Sequence, residues 1–174
     1  MPNPRVQYLY NSLNNWCNQY GMEPHIFEVN IKWTKERKGT LCSPDVTFGS
    51  QERGCFDVAT PPQFPKGMQG IWSPEHLFTA AINSCLMTTF LAIAENFKLE
   101  FAGFDCTAKG TLEQVEGKYL MTEVLLEPEV TILREEDREK ALKVLQKSEV
   151  ACLISNSVKS KVSMNPVIRI VGSL

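Results

Sequence analysis

An α+β fold built around one long buried helix is the class this chain predicts, and three observations carry that reading. An uncharged run from Leu77 to Ala94 has helical spacing, strand-like runs stand on both sides of it, and the regular strand–helix–strand alternation of a parallel sheet is missing. At 174 residues and 43% hydrophobic, the chain is long enough for one real core and too short to need dividing. Residues 1–24 read as a helical extension and 26–174 as the body of a single domain.

Taken in order, Val6, Leu9, Tyr10, Leu13, Trp16, Cys17 and Tyr20 fall at helical intervals before Gly21, which predicts an amphipathic first helix. Alternation through Phe27, Val29, Ile31 and Trp33 predicts a half-buried strand over 26–34, with 35–39 as its turn. Short strands are expected over 45–48 and 55–59, followed by a loop punctuated by Pro61, Pro62, Pro65, Gly67 and Gly70. Ser73-Pro74-Glu75 opens the long helix: Ser caps free amides, Pro suits the first helical position, and Glu complements the positive dipole end. The helix is expected to reach Phe97 with apolar residues around most of its circumference, as in a helix buried on several sides. It is long enough to span a bilayer, but Thr79, Asn83, Ser84, Thr88 and Thr89 dilute it, so no membrane partner is expected.

Strands over 104–112 and 118–133 flank a Glu116-Gly117 hairpin turn, and Pro128 is expected to bend or divide the second. Arg134-Glu135-Glu136-Asp137 begins a second helix with acids at its positive end and Ala141, Leu142, Val144, Leu145 and Val150 as its buried stripe. Cys152 lies at its far end, and 162–171 reads as a last strand in which Pro166 marks an edge or bulge.

A net charge of −2 with acids and bases interspersed leaves no electrostatic footprint for nucleic acid or an anionic membrane surface. The first residues lack the layout of a secretory signal, so the expected location is the cytosol. In that reducing compartment the six cysteines are not expected to form a disulfide framework. They contain no Cys-x-x-Cys and no zinc-type cluster, and with only His25 and His76 available no metal is expected. Two cysteines stand apart. Cys85 lies in the middle of the apolar helix and Cys152 begins Cys-Leu-Ile-Ser-Asn-Ser, 67 residues further on (152 − 85). A thiol on such a helix is normally inert packing, but one that meets a second thiol from a distant segment can do two-electron redox chemistry. Cys17, Cys42, Cys55 and Cys106 read as structural or incidental thiols.

The run Ser73-Pro74-Glu75-His76-Leu77-Phe78-Thr79-Ala80-Ala81-Ile82-Asn83-Ser84-Cys85 closely resembles the helix signature of the OsmC/Ohr family of thiol peroxidases, and Cys152-Leu153-Ile154-Ser155-Asn156-Ser157 resembles its second cysteine motif. The likeness covers roughly Phe27 to the C-terminus. It implies an OsmC-like fold of antiparallel sheets wrapped around long central helices in an intertwined homodimer, and reduction of organic hydroperoxides or hydrogen peroxide. Cys85 matches the peroxidatic cysteine, Cys152 the resolving one, and Glu75 the active-site glutamate. Arg37, in Thr34-Lys35-Glu36-Arg37-Lys38-Gly39, matches the family's arginine, with Arg53 as a nearby competitor. No bound cofactor is implied; the reductant is an external dithiol of lipoyl type. The chain departs from the family in one place, where Leu153 follows Cys152 instead of the frequent proline.

These residue types suffice for the chemistry without a metal. The attacking thiol must be ionised although an apolar helix disfavours its anion, so a nearby cation is needed. Arginine stays charged when partly buried, its planar fork can hold the departing oxyanion, and a carboxylate can fix that fork in place. A second thiol converts the resulting sulfenic acid to a disulfide before over-oxidation. Ten residues separate Glu75 from Cys85, a rise of about 15 Å and a rotation of about 280° on an unbroken helix. Either the helix breaks between them or a partner subunit supplies the glutamate, which favours a site at a dimer interface. Two other functions fit the same residues: a dimeric module that binds a small apolar ligand, and a thiol–disulfide sensor.

Overall fold

The computed structural model describes residues 25–47 and 54–172. The expected N-terminal helix, Cys17, Arg53 and the end of the strand expected over 45–48 lie outside them. The described residues fall into two compact units, 25–33 with 40–47 and 54–56, and a larger one of 34–39 with 57–172.

Three strands, β1 (Asn30–Lys35), β2 (Lys38–Ser43) and β3 (Gly54–Ala59), form one sheet in that order. The charged stretch after Trp33 is therefore mostly strand, and the turn contracts to Glu36 and Arg37, with Glu36 at φ 49°. The strand expected over 45–48 is corrected: β2 ends at Ser43, Asp45 sits in a turn with its N–H bonded to the Ser43 hydroxyl, and beyond it the Val46 carbonyl accepts the Gly54 N–H. The first strand is not half-buried either. It is an edge strand, and Phe27, Val29, Ile31 and Trp33 are all exposed, Trp33 at 71%.

Within the smaller unit, Cys42 and Cys55 are joined as a disulfide between β2 and β3, with Cα atoms 4.2 Å apart. This corrects their reading as incidental thiols. Sheet pairing brings together two cysteines that are 13 residues apart in sequence.

In the larger unit the helix α1 (Pro74–Asn96) runs unbroken. By length and composition it could cross a membrane. Only Ile82, Leu86, Phe90 and Ala94 are buried on it, a single line at four-residue spacing, while Met87 and Leu91 stay exposed at 39% and 43%. The expectation of burial on several sides thus fails within one chain. After α1 come β4 (Phe101–Val115) and β5 (Lys118–Ile132), antiparallel across Glu116 and Gly117 at φ 50° and 78°. Positive φ at both central residues makes this the two-residue turn that matches strand twist.

A 3₁₀ turn, Glu135–Asp137, leads into α2 (Arg138–Ala151) and the short α3 (Leu153–Ser157). The chain then returns as β6 (Lys161–Met164) and β7 (Val167–Ile170), both parallel to β5. The sheet is therefore mixed, and one strand–helix–strand crossover is present where none was expected. Pro128 does not divide β5. Its partners on that side pair with 123–126 and 129–132, so the proline falls opposite the Asn165-Pro166 interruption, where no ladder bond is lost. Pro166 in turn divides the expected last strand into β6 and β7.

Val124, Leu126, Pro128, Val130 and Ile132 alternate as the buried face of β5. They pack with α1 in two clusters: Ile82 and Leu86 against Val124 and Leu126, and Phe90 and Ala94 with Val130, Ile132, Ala141, Val144 and Leu145. On α2 the buried stripe takes in Ser148, whose hydroxyl returns to the Val144 carbonyl at 2.7 Å, while Val150 is exposed.

Asp137, buried just before α2, pairs with Arg134 at 2.9 Å and Lys140 at 2.7 Å. Its bonds to Lys140 and then Arg134 hold the carboxyl below the usual 3.8, so its stabilisation is present above about pH 4 and is lost as the pH falls through the folded-state value. Asp137→Asn should therefore lower stability at pH 7, and the gap to the wild type should narrow on acidification below pH 4. Urea denaturation at pH 7 and pH 3 measures both; an equal gap at the two values would refute the assignment.

Candidate active site

The site begins at the start of α1. Ser73 is fully buried in extended geometry, and its hydroxyl accepts the His76 N–H at 3.3 Å. The His76 ring reciprocates: Nδ1 accepts the Ser73 N–H at 3.3 Å and lies 2.8 Å from the Ser73 hydroxyl. Histidine thus fills the place glutamate or glutamine usually holds in a reciprocal cap. The pattern Ser-x-x-His is the local signal for this role.

Glu75, in the first turn of α1, faces a cavity of about 450 Å³ whose walls include Pro61, Phe64, Thr79, Gly110 and Met121. One of its oxygens, Oε2, is buried without a hydrogen-bond partner. The helix floor comes close to β4 at Gly110, where a Cβ would overlap the Thr79 hydroxyl.

Cys85 lies on α1 between two buried core positions and is itself partly exposed. Cys152 ends α2 and begins α3; its extended backbone (φ −62°, ψ 110°) breaks the helix, and its carbonyl accepts the Asn156 N–H at 3.1 Å. The two thiols are close neighbours, Cys85 raising the cost of ionising Cys152, and the Ile154 N–H, two residues after Cys152, points at the Cys85 sulfur at 3.4 Å. The Ser155 hydroxyl donates to the Cys152 sulfur at 3.0 Å. Burial pushes the Cys152 thiol above its ordinary value of 9.0; Ser155 opposes that, and the neighbouring Cys85 adds to it. Leu153, 70% exposed, occupies the first position of α3, where proline is also well accommodated, so the departure from the family motif leaves the thiol in place.

Of the four candidate residues, one chain brings together Cys85 and Cys152 alone. Glu75 stands on the same unbroken helix ten residues away, about 15 Å along the axis. Arg37 is exposed in the turn between β1 and β2 and lines a separate hollow with Glu36, Lys66, Gly67 and Met68. Cys106 stands on β4 opposite Pro128 of β5, its carbonyl accepting the Asn83 side-chain amide at 2.8 Å, and burial raises its pKa to about 11. Among the described residues no three His, Cys, Asp or Glu side chains cluster as metal ligands do.

A helix carrying one thiol, packed on a mixed sheet and met by a second thiol at a helix break, defines a two-cysteine α+β protein. A family model described as OsmC-like protein matches residues 67–166, more than half of the chain, and the chain belongs to that family. It is 24% identical over 149 residues to the uncharacterized protein YmaD of Bacillus subtilis, a match covering 82% of this chain and 93% of that one. Among solved structures it resembles an OsmC-like protein of unknown function from Vibrio cholerae, with a TM-score of 0.71 and 21% identity over 83% of this chain and all of that one. It also resembles an organic hydroperoxide resistance protein from Elizabethkingia anophelis, with a TM-score of 0.65 and 20% identity over 85% of this chain and 98% of that one. At these identities the structures support the fold.

The loop that walls the Glu75 cavity is tight: the Phe64 N–H bonds the Pro61 carbonyl at 3.1 Å and the Gly67 N–H bonds the Phe64 carbonyl at 2.9 Å. A Cβ on Gly67 would overlap the Pro61 backbone and lie 2.7 Å from the Pro62 Cα. Gly67→Ala should cost about 1–3 kcal/mol in chemical denaturation, as backbone must move to admit it. Unchanged stability would mean that the loop has room this geometry denies.

Proposed function

We propose that the protein is a thiol-dependent peroxidase that reduces organic hydroperoxides or hydrogen peroxide through Cys85 and Cys152. The meeting of the Cys152 segment with Cys85, in a chain of the OsmC-like family, is the observation that supports it most. The Cys85 thiolate attacks the outer peroxide oxygen; an S–O bond forms, the O–O bond breaks, and the alkoxide leaves and takes a proton. Cys152 then attacks the Cys85 sulfenic acid, forming the disulfide and releasing water. An external dithiol of lipoyl type restores both thiols by exchange.

The working unit in this reading is a homodimer. Three features support it. The unbroken α1 keeps Glu75 from Cys85 of the same chain, the buried Glu75 oxygen lacks a donor, and α1 leaves apolar residues such as Met87 and Leu91 exposed. A partner chain would cover that face and complete the site with Glu75 and Arg37, the guanidinium held by the carboxylate and set to stabilise the leaving oxygen.

Cys85→Ser should abolish peroxide-dependent turnover with a dithiol reductant while leaving circular dichroism unchanged. Cys152→Ser should give one turnover and then accumulate sulfenic or over-oxidised Cys85, read by mass spectrometry after a single peroxide pulse. Full activity of the first variant would remove the peroxidase reading, and an unchanged steady state of the second would remove Cys152 from it.

Arg37→Ala should slow the attack about 100-fold, with Arg37→Lys recovering charge but not the two-pronged geometry. A loss in Arg53→Ala with Arg37→Ala unaffected would transfer the role to Arg53. The dimer should bury on the order of 2,000 Å² or more and persist on dilution. A compact, active monomer in sedimentation across a wide concentration range would defeat the shared site.

A further inference from the structure

We propose that Ser155 is a positioning residue of the resolving step, its hydroxyl holding the negative charge that develops on the Cys152 sulfur as that sulfur attacks oxidised Cys85. The inference rests on the peroxidase reading above and adds to it a residue outside the two thiols, the glutamate and the arginine.

The geometry is specific. Ser155 stands three residues after Cys152, on the first turn of α3, and its Oγ donates to the Cys152 Sγ at 3.0 Å. Serines inside helices ordinarily turn their hydroxyls back to a carbonyl of the preceding turn. Ser157 does so to the Leu153 carbonyl at 2.9 Å, and Ser148 to the Val144 carbonyl at 2.7 Å. Ser155 spends its one proton on sulfur instead.

That sulfur is fully buried, so water cannot solvate an anion on it, and burial is the largest influence raising its pKa. The Ser155 hydroxyl is the largest influence opposing it, and the Ser155 backbone N–H acts in the same sense. The Ile154 N–H, in contrast, goes to Cys85. One turn of chain therefore supplies a donor to each sulfur: a backbone amide for the peroxidatic thiol and a side-chain hydroxyl for the resolving one.

In the step itself the Cys152 sulfur forms the S–S bond while the S–O bond of Cys85–SOH breaks. The departing hydroxide combines with the Cys152 proton as water, with no further oxidant or reductant. Ser155 neither gains nor loses a proton; it stabilises the sulfur while its proton is leaving.

The test follows both steps in rapid mixing with an organic hydroperoxide, comparing wild type, Ser155→Ala and Ser155→Thr, with sulfenic acid trapped by a dimedone-type reagent. Ser155→Ala should slow disulfide formation about tenfold relative to Cys85 oxidation, lengthen the life of the trapped species and move the pH profile of the second step upward. Ser155→Thr, which keeps the hydroxyl, should recover most of the rate. Disulfide formation at the wild-type rate in Ser155→Ala would overturn the proposal, as would a slowed Ser155→Ala with an unmoved pH profile, which would mark a merely structural role. The peroxidase reading fails separately, if wild-type Cys85 does not oxidise at all. A thiolate absorbance titration of Cys152 in the Cys85→Ser background then judges Ser155 alone, and a midpoint unmoved by Ser155→Ala would overturn it.

Discussion

Everything in the larger unit depends on the packing of one helix line against one strand face. Ile82 and Leu86 cluster with Val124 and Leu126, and Phe90 and Ala94 with Val130 and Ile132. Phe90 anchors the middle, with ring centroids 5.2 Å from Phe101 and 4.8 Å from Phe104. Cys85 lies beside this line, one residue before Leu86, so its position is set by the packing. The crossover that leaves β5 and returns as β6 must pass over the same helix, and it delivers Cys152 there.

The result is a site with one part complete and another open. The thiol pair needs only one chain, because α2 ends where it can drop a sulfur onto α1. Glu75 and Arg37 obey a different constraint. An unbroken helix acts as a rigid spacer, and a carboxylate in its first turn cannot reach a sulfur three turns away. Burying a carboxylate oxygen with no donor is costly, and native structures seldom keep such an arrangement without a partner. The proposed partner chain would answer both the orphaned Glu75 oxygen and the exposed apolar side of α1.

Local rule-breaking elsewhere has local causes. Proline in the middle of a long, doubly flanked strand is ordinarily excluded, yet Pro128 is tolerated because Pro166 interrupts the neighbouring strand at the same level. A histidine replaces the usual acid in the helix cap because its Nδ1 offers the same acceptor. The Cys42–Cys55 disulfide joins neighbouring strands of the smaller unit.

The long helix, its Ser73 cap, the Glu116-Gly117 turn, the two strands beside that turn and the second helix were legible in the sequence, because periodicity, capping chemistry and turn stereochemistry act over a few residues. The two cysteines whose segments meet were singled out as well, through the two motifs around them. What only the tertiary structure decided is which groups meet. Strand periodicity does not say which neighbour a strand takes, so the mixed sheet, the divided last strand and the disulfide were hidden. Apolar residues around a helix do not say how many sides one chain covers, so the bare face of α1 was hidden too. The bonds from Ser155 to Cys152 and from Ile154 to Cys85 appear only when a helix break in one segment is laid against a helix face 67 residues away. Contacts of that kind depend on the packing of the whole unit, which no local pattern encodes.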